Sequence, residues 1–128
     1  MSSSNQKRTV YIIEDEQDIL SLISRILRYK GFETIMDFNG NDFNVKRVPC
    51  PDLYIIDINL MDKNGADLCV EIKNECPDTP VVLISANVKL AETALQVRAD
   101  NHITKPFSIT ELIDVVSIVL KHNIQSNI

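Results

Sequence analysis

The chain has 128 residues, 45% of them hydrophobic, with a formal net charge of −5 and a pI near 4.9. That length suits one domain with a substantial core, and no apolar stretch approaches the roughly 20 residues needed to span a bilayer. The acidic balance, with Lys7-Arg8 and Lys46-Arg47 only as isolated basic pairs, opposes direct nucleic-acid binding, which draws its affinity from clustered cations.

Residues 1–8 are polar and lack the apolar core of an export signal, so they read as a disordered lead to a cytoplasmic protein. The folded domain is expected over 9–122, with 123–128 as a polar tail or linker stub. Val10-Tyr11-Ile12-Ile13 is the first of three short apolar runs, with 53–56 and 81–84, that read as strands buried on both faces. Weaker strands fall near 33–37 and 101–104. After the first strand, Ile19, Leu20, Ile23, Ile26 and Leu27 recur at helical spacing, and Gly31 supplies a left-handed stop.

Asn39 to Val48 is polar and poorly periodic, and a short second helix is expected there before Pro49-Cys50-Pro51 interrupts the chain. Gly65 to Glu75 carries Leu68, Cys69 and Ile72 on one stripe and is closed by Pro77. Residues 88–98 hold a thinner stripe of Val88, Ala91, Ala94 and Leu95 for a fourth helix. Ser108-Ile109-Thr110-Glu111 matches a capping box that starts the last helix near Ile109, with Leu112, Ile113, Val116, Val119 and Leu120 facing inward and Ile118 outside that arc.

Cys50, Cys69 and Cys76 are odd in number and form no CxxC, so reduced, packed thiols are expected rather than a disulfide or zinc site. Cys69 and Cys76 are seven apart, which places them on one helical face. The alternation of strands and helices implies a doubly wound α/β domain with a five-stranded parallel sheet, whose ligands bind at the carboxyl ends of the strands.

At those ends stand Glu14-Asp15-Glu16, Asp57, Ser85 and Lys105. Glu14, Asp15 and Asp57 in one cleft would repel one another unless a cation neutralised them, and an all-oxygen donor set with no neighbouring His or Cys suits Mg²⁺. Taken alone, the acidic triplet also fits a helix start favoured by the macrodipole. A carboxylate beside a metal can attack phosphorus, and Asp57, on the central strand, is the choice for that nucleophile, with Glu14 and Asp15 holding the ion. Lys105 supplies an ammonium and Ser85 a hydroxyl for phosphoryl oxygens, while Ala86 leaves room for the group. Pro106 is a candidate for a cis bond that aims Lys105 back at the cleft.

With these residues in place, residues 8–122 resemble a response-regulator receiver domain, the phosphoacceptor module of two-component signalling. The resemblance implies the flavodoxin-like strand order 2-1-3-4-5. It makes Asp57 the phosphoacceptor, Glu14 and Asp15 the acidic pair, Asn59 a Mg²⁺ ligand through its backbone carbonyl, Ser85 and His102 the switch residues, and Lys105 the conserved-type lysine. Asn59 and Asn87 flank the path of hydrolytic water and would tune the lifetime of the phosphoryl group. It further implies a histidine kinase or histidine phosphotransfer protein as donor, and a downstream protein target or a missing output domain. A homodimer through the face of the fourth helix, fifth strand and last helix is also implied.

The chain departs from the usual receiver pattern at several positions: Glu14 stands for the commoner Asp, Met61 for Pro, Lys63 for an apolar residue, Arg98 for Gly and His102 for Tyr or Phe. These bear on the output switch more than on phosphorylation, since no core catalytic group is missing. Two other function classes stand beside this one. A receiver-like binding module would keep the fold and ignore phosphate, and a phosphatase of the haloacid dehalogenase type would want an acid at position 59, where the chain has Asn.

Overall fold

The computed structural model describes residues 7–125, with side chains described as far as Leu120. Most of the expected polar lead and tail therefore lies outside the described residues. The elements run β1 (Thr9–Ile13), α1 (Gln17–Tyr29), β2 (Glu33–Asp37), β3 (Leu53–Asp57), α2 (Gly65–Glu75), β4 (Val81–Ser85), α3 (Leu90–Gln96), β5 (Asn101–Thr104) and α4 (Ile109–Gln125). All four strand pairings are parallel and the order is β2-β1-β3-β4-β5, the doubly wound, flavodoxin-like sheet expected of the chain.

The period of two along each strand sends successive side chains to opposite faces. Tyr11, Ile13, Tyr54, Ile56 and Leu83 join Leu68, Cys69 and Ile72 of α2 and Leu90 and Ala94 of α3 in one core layer. Val10, Ile12, Leu53, Ile55, Val82 and Ile84 join Leu20, Ile23 and Leu27 of α1 and Leu112, Val116 and Leu120 of α4 in the other. Continuous apolar runs are thus required in β1, β3 and β4 because neither face meets water. Among the described residues no helix is long and apolar enough to cross a membrane.

The helix expected over Asn39–Val48 does not form: the segment is a series of turns. Asn39 Oδ1 accepts from the Asn41 amide at 2.9 Å and Asn44 Oδ1 from the Lys46 amide at 3.0 Å, so side chains take amides that a helix would need. Phe43 and Val45 still enter the core, with Phe43 edge-on to Tyr11 and Tyr54. Gly40, at φ 74°, turns the chain so closely over the sheet that a Cβ there would sit 3.0 Å from Ile13 Cγ2. With no helix over this stretch, Ile35, Met36 and Phe38 at the sheet edge are exposed.

The expectation of three reduced thiols is also corrected. Cys50 and Cys76 form a disulfide with Cα atoms 6.0 Å apart, while Cys69 is free and buried. The crossover explains the pairing: α2 runs antiparallel to β3, so its C-terminal end returns beside the residues that lead into that strand. Cys69 and Cys76 do share one core layer, as their spacing implied. Other ties gather at this end of the sheet. Asp52 Oδ2 accepts from the Thr9 amide at 2.7 Å, and Thr79 Oγ1 donates to the Pro51 carbonyl at 3.3 Å. Asp100 Oδ2 accepts from the Val81 amide at 2.7 Å and from Lys73 Nζ at 2.6 Å.

The expected fourth helix shortens to α3, whose buried side is Leu90 and Ala94, leaving Val88 and Leu95 in water. The capping box is present, with Glu111 N donating to Ser108 Oγ at 3.0 Å and Ser108 N to Glu111 Oε1 at 2.9 Å.

Candidate functional site

Three strands end in polar residues that the fold buries: Glu14 just past β1 at 0% exposure, Asp57 at the end of β3 at 3%, and Ser85 at the end of β4 at 0%. Lys105 follows β5, and its peptide bond to Pro106 is cis. Its ammonium reaches across the strand ends, with Nζ 3.1 Å from Glu14 Oε1, 2.9 Å from Glu16 Oε1 and 3.2 Å from Asp57 Oδ2.

Asp57 is held by its backbone surroundings as well. Its Oδ1 accepts from the Asn59 amide at 3.1 Å, and the Ile58 amide donates to the Ile84 carbonyl. The loop returns through Gly65, whose amide donates to the Ile58 carbonyl at 2.8 Å. A Cβ at Gly65 would fall on the Asp57 carbonyl oxygen, so this position requires glycine for close approach rather than for its φ. Asn64 caps the following helix, its Oδ1 accepting from the Ala66 amide at 2.7 Å.

A second group adjoins the first. Ser85 Oγ accepts from Asn59 Nδ2 at 3.2 Å and from the Asn87 amide at 3.0 Å, which ties the two loops beside Asp57 together. Asn87 turns its own Oδ1 to the Lys89 amide. His102 lies within β5, half-buried and in register with Leu83. Among the described residues no side-chain hydrogen bond joins it to the carboxylate cluster.

Glu14, Asp57 and Lys105 are therefore brought together, and Ser85, Asn59 and Asn87 form the neighbouring chain. Asp15 is not in the acidic cluster; the carboxylates that converge within 4.8 Å are Glu14, Glu16 and Asp57. In the sequence Glu16 stands out only as part of the Glu14-Asp15-Glu16 triplet, with no role of its own. In extended backbone, residues two apart share a side, and Glu16 has φ −92° and ψ 110°. Its amide donates to Glu14 Oε2 at 3.0 Å, which locks the alternation.

The electrostatics show what the cluster lacks. Burial raises the Glu14 carboxyl from 4.5 to about 7; the Glu16 amide and Lys105 oppose that rise, and the Asp57 charge adds to it. Burial pulls Lys105 down, but Glu16, Glu14 and Asp57 outweigh it and hold the ammonium above its ordinary value. Glu14 Oε1 is within ion-pair distance of Lys105, yet it is buried and receives no hydrogen bond among the described residues. Three carboxylates share one ammonium, and a buried carboxylate oxygen remains without a donor. An oxygen-only donor set of this kind fits a hard divalent cation such as Mg²⁺.

The comparisons with known proteins agree with this geometry. Residues 10–117 match the response regulator receiver domain. The transcriptional regulatory protein CssR of Bacillus subtilis is 36% identical over 107 residues, covering 82% of this chain and 48% of CssR. NtrX from Brucella abortus superposes with a TM-score of 0.86 at 31% identity, over 95% of this chain and 29% of NtrX. A CheY-like receiver from Methanospirillum hungatei shares the fold at a TM-score of 0.81 and 20% identity, covering 94% of this chain and 99% of its own. The chain spans about half the length of the curated relatives it matches. A parallel sheet whose strand ends set one lysine among converging acids, in a sequence matched over residues 10–117, makes the chain a member of the response regulator receiver domain family.

Proposed function

We propose that the chain is a cytoplasmic, Mg²⁺-dependent phosphoacceptor that takes a phosphoryl group from a histidine kinase or histidine phosphotransfer protein onto Asp57. The observation that carries this is the Lys105 ammonium 3.2 Å from Asp57 Oδ2, in a cleft of buried acids. In the transfer the donor's P–N bond breaks and its electron pair returns to the imidazole, while an Asp57 carboxylate oxygen forms the new bond to phosphorus. Lys105 is placed to meet charge that develops on the phosphoryl oxygens, and the Asn59 amide orients the nucleophile through Oδ1. Glu14 and Asp57 would hold the cation, with Asp15 and the Asn59 carbonyl as the further ligands the family resemblance implies. When bound, Mg²⁺ supplies positive charge for the acids and the incoming phosphoryl group.

Ser85 is the hydroxyl that would follow the phosphoryl group, giving up its bonds from Asn59 and Asn87. The same two asparagines would tune hydrolysis. Movement of Ser85 would pass along the β4–β5 pair to His102 and so to the face of α3, β5 and α4. That face is the proposed contact for a downstream protein, for an output domain of the kind that the longer relatives leave room for, or for a second copy. The domain binds no nucleic acid itself, and it is a switch whose only chemistry is its own phosphorylation and dephosphorylation.

Incubation with Mg²⁺ and a small acyl phosphate should add one phosphoryl mass to the protein, and Asp57→Asn should abolish it. Absence of the gain in the unaltered protein would point instead to a module that recognises partners without phosphate. Steady turnover of varied phosphate esters would point to a phosphatase.

A further inference from the structure

Resting on the phosphoacceptor reading of Asp57, we infer that Glu16 is a positioning residue that occupies Lys105 in the resting state and yields it to the phosphoryl group. An ammonium has three N–H donors, and in this structure Lys105 directs them to three carboxylates. Nζ donates to Glu16 Oε1 at 2.9 Å, to Asp57 Oδ2 at 3.2 Å and to Glu14 Oε2 at 3.3 Å. No donor of Lys105 is left over for a phosphoryl oxygen.

The three acids are not equally able to give way. Glu14 and Asp57 are buried, whereas the Glu16 side chain is 60% exposed. Withdrawing the lysine from Glu14 would strand a buried carboxylate whose Oε1 already lacks a donor. Withdrawing it from Glu16 releases a carboxylate into water, where hydration replaces the lost bond. Space for that movement exists: Glu16, Lys105 and Ala86 border an open groove of about 420 Å³. Glu16 is also anchored by its backbone rather than its side chain. It begins α1, its side chain makes no capping bond, and its amide is fixed to Glu14 Oε2. The carboxylate can leave without disturbing the helix.

Two consequences follow. Glu16 holds Lys105 extended across the cleft, so the ammonium waits where the phosphoryl oxygens arrive. It also sets an affinity penalty on any anion that reaches Asp57, because it competes for one N–H and adds a negative charge at the mouth. This chain should therefore accept phosphoryl groups less readily than the same site with a neutral residue at position 16.

The test is a titration of Glu16→Gln and Glu16→Asp with beryllofluoride at saturating Mg²⁺, followed by ¹⁹F NMR of the bound fluorides. Glu16→Gln should tighten binding roughly two- to five-fold, the scale of one solvent-exposed ion pair. Glu16→Asp keeps the charge with one methylene less reach and should fall between the two. The gain should shrink as ionic strength rises, which a general packing change would not do. Unchanged or weaker binding by Glu16→Gln, with the unaltered protein binding normally, overturns the role of Glu16 and leaves the Asp57 reading standing. A gain indifferent to salt overturns it as well. No Asp57-dependent fluoride signal in the unaltered protein overturns both.

Discussion

Glu14 converts its burial into a pH dependence of folding. Its carboxyl is raised from 4.5 to about 7, chiefly by desolvation. Because the folded value lies above the unfolded one, the native state keeps a proton that the unfolded chain has lost between those two pH values. Stability from this group is fully present below pH 4.5 and is lost as pH rises through 7. The displacement from 4.5 to about 7 corresponds to about 3 kcal/mol for this one side chain. Glu14→Gln is nearly isosteric with the protonated acid, so it should match the unaltered protein near pH 5. At pH 8 without metal it should exceed it by as much as about 3 kcal/mol. Urea unfolding of both proteins at the two pH values, with chelator present, measures the difference, and groups common to both cancel. A difference that does not change with pH refutes the assignment. Adding Mg²⁺ at pH 8 should recover much of the deficit in the unaltered protein and little in the variant, since a neutral amide offers the ion less.

Three further outcomes follow from the packing. Gly65→Ala should lose about 1–3 kcal/mol by overpacking and weaken beryllofluoride binding with it, because the added methyl meets the Asp57 carbonyl directly; thermal melts beside the fluoride titration would check both. Reductant, or Cys50→Ser, should lower stability by about 3.5 kcal/mol, the chain-entropy scale for a cross-link spanning 26 residues, while Cys69→Ser should leave the response to reductant intact. In the reducing cytoplasm proposed for this protein thiol exchange would act on that bond, so a melt that ignores reductant would show the cross-link to be unimportant. Ser108→Ala should cost about 1 kcal/mol in urea unfolding, through loss of the oxygen that accepts from Glu111 N.

What the sequence disclosed depended on how local the cause was. The strands β1, β3 and β4 are apolar on both faces because both are covered, and four consecutive residues suffice to show it. The Ser108–Glu111 box is equally local. The helix expected over 39–48 had no clear periodicity behind it, and asparagine side chains claim the amides that it would need. The Cys50–Cys76 pairing depends on where a crossover returns, which no spacing rule encodes. At the site, strand ends were enough to gather Glu14, Asp57, Ser85 and Lys105. That Glu16 converges with Glu14 and Asp57 turns on the backbone angles of a three-residue loop, which strand ends alone do not give.

The lacing at the amino-terminal ends of the strands has a bearing on what this fold can tolerate. Cys50–Cys76, Asp52 with the Thr9 amide and Asp100 with Lys73 and the Val81 amide all lie at the end of the sheet away from Asp57. The reactive end holds acids in mutual conflict. Anchorage at one pole gives a reserve against which substitutions at the other can be accumulated without unfolding. A library that randomises Glu16, Met61 and Asn87 should keep a high proportion of folded members while the cross-link is closed, and a visibly lower one once it is opened.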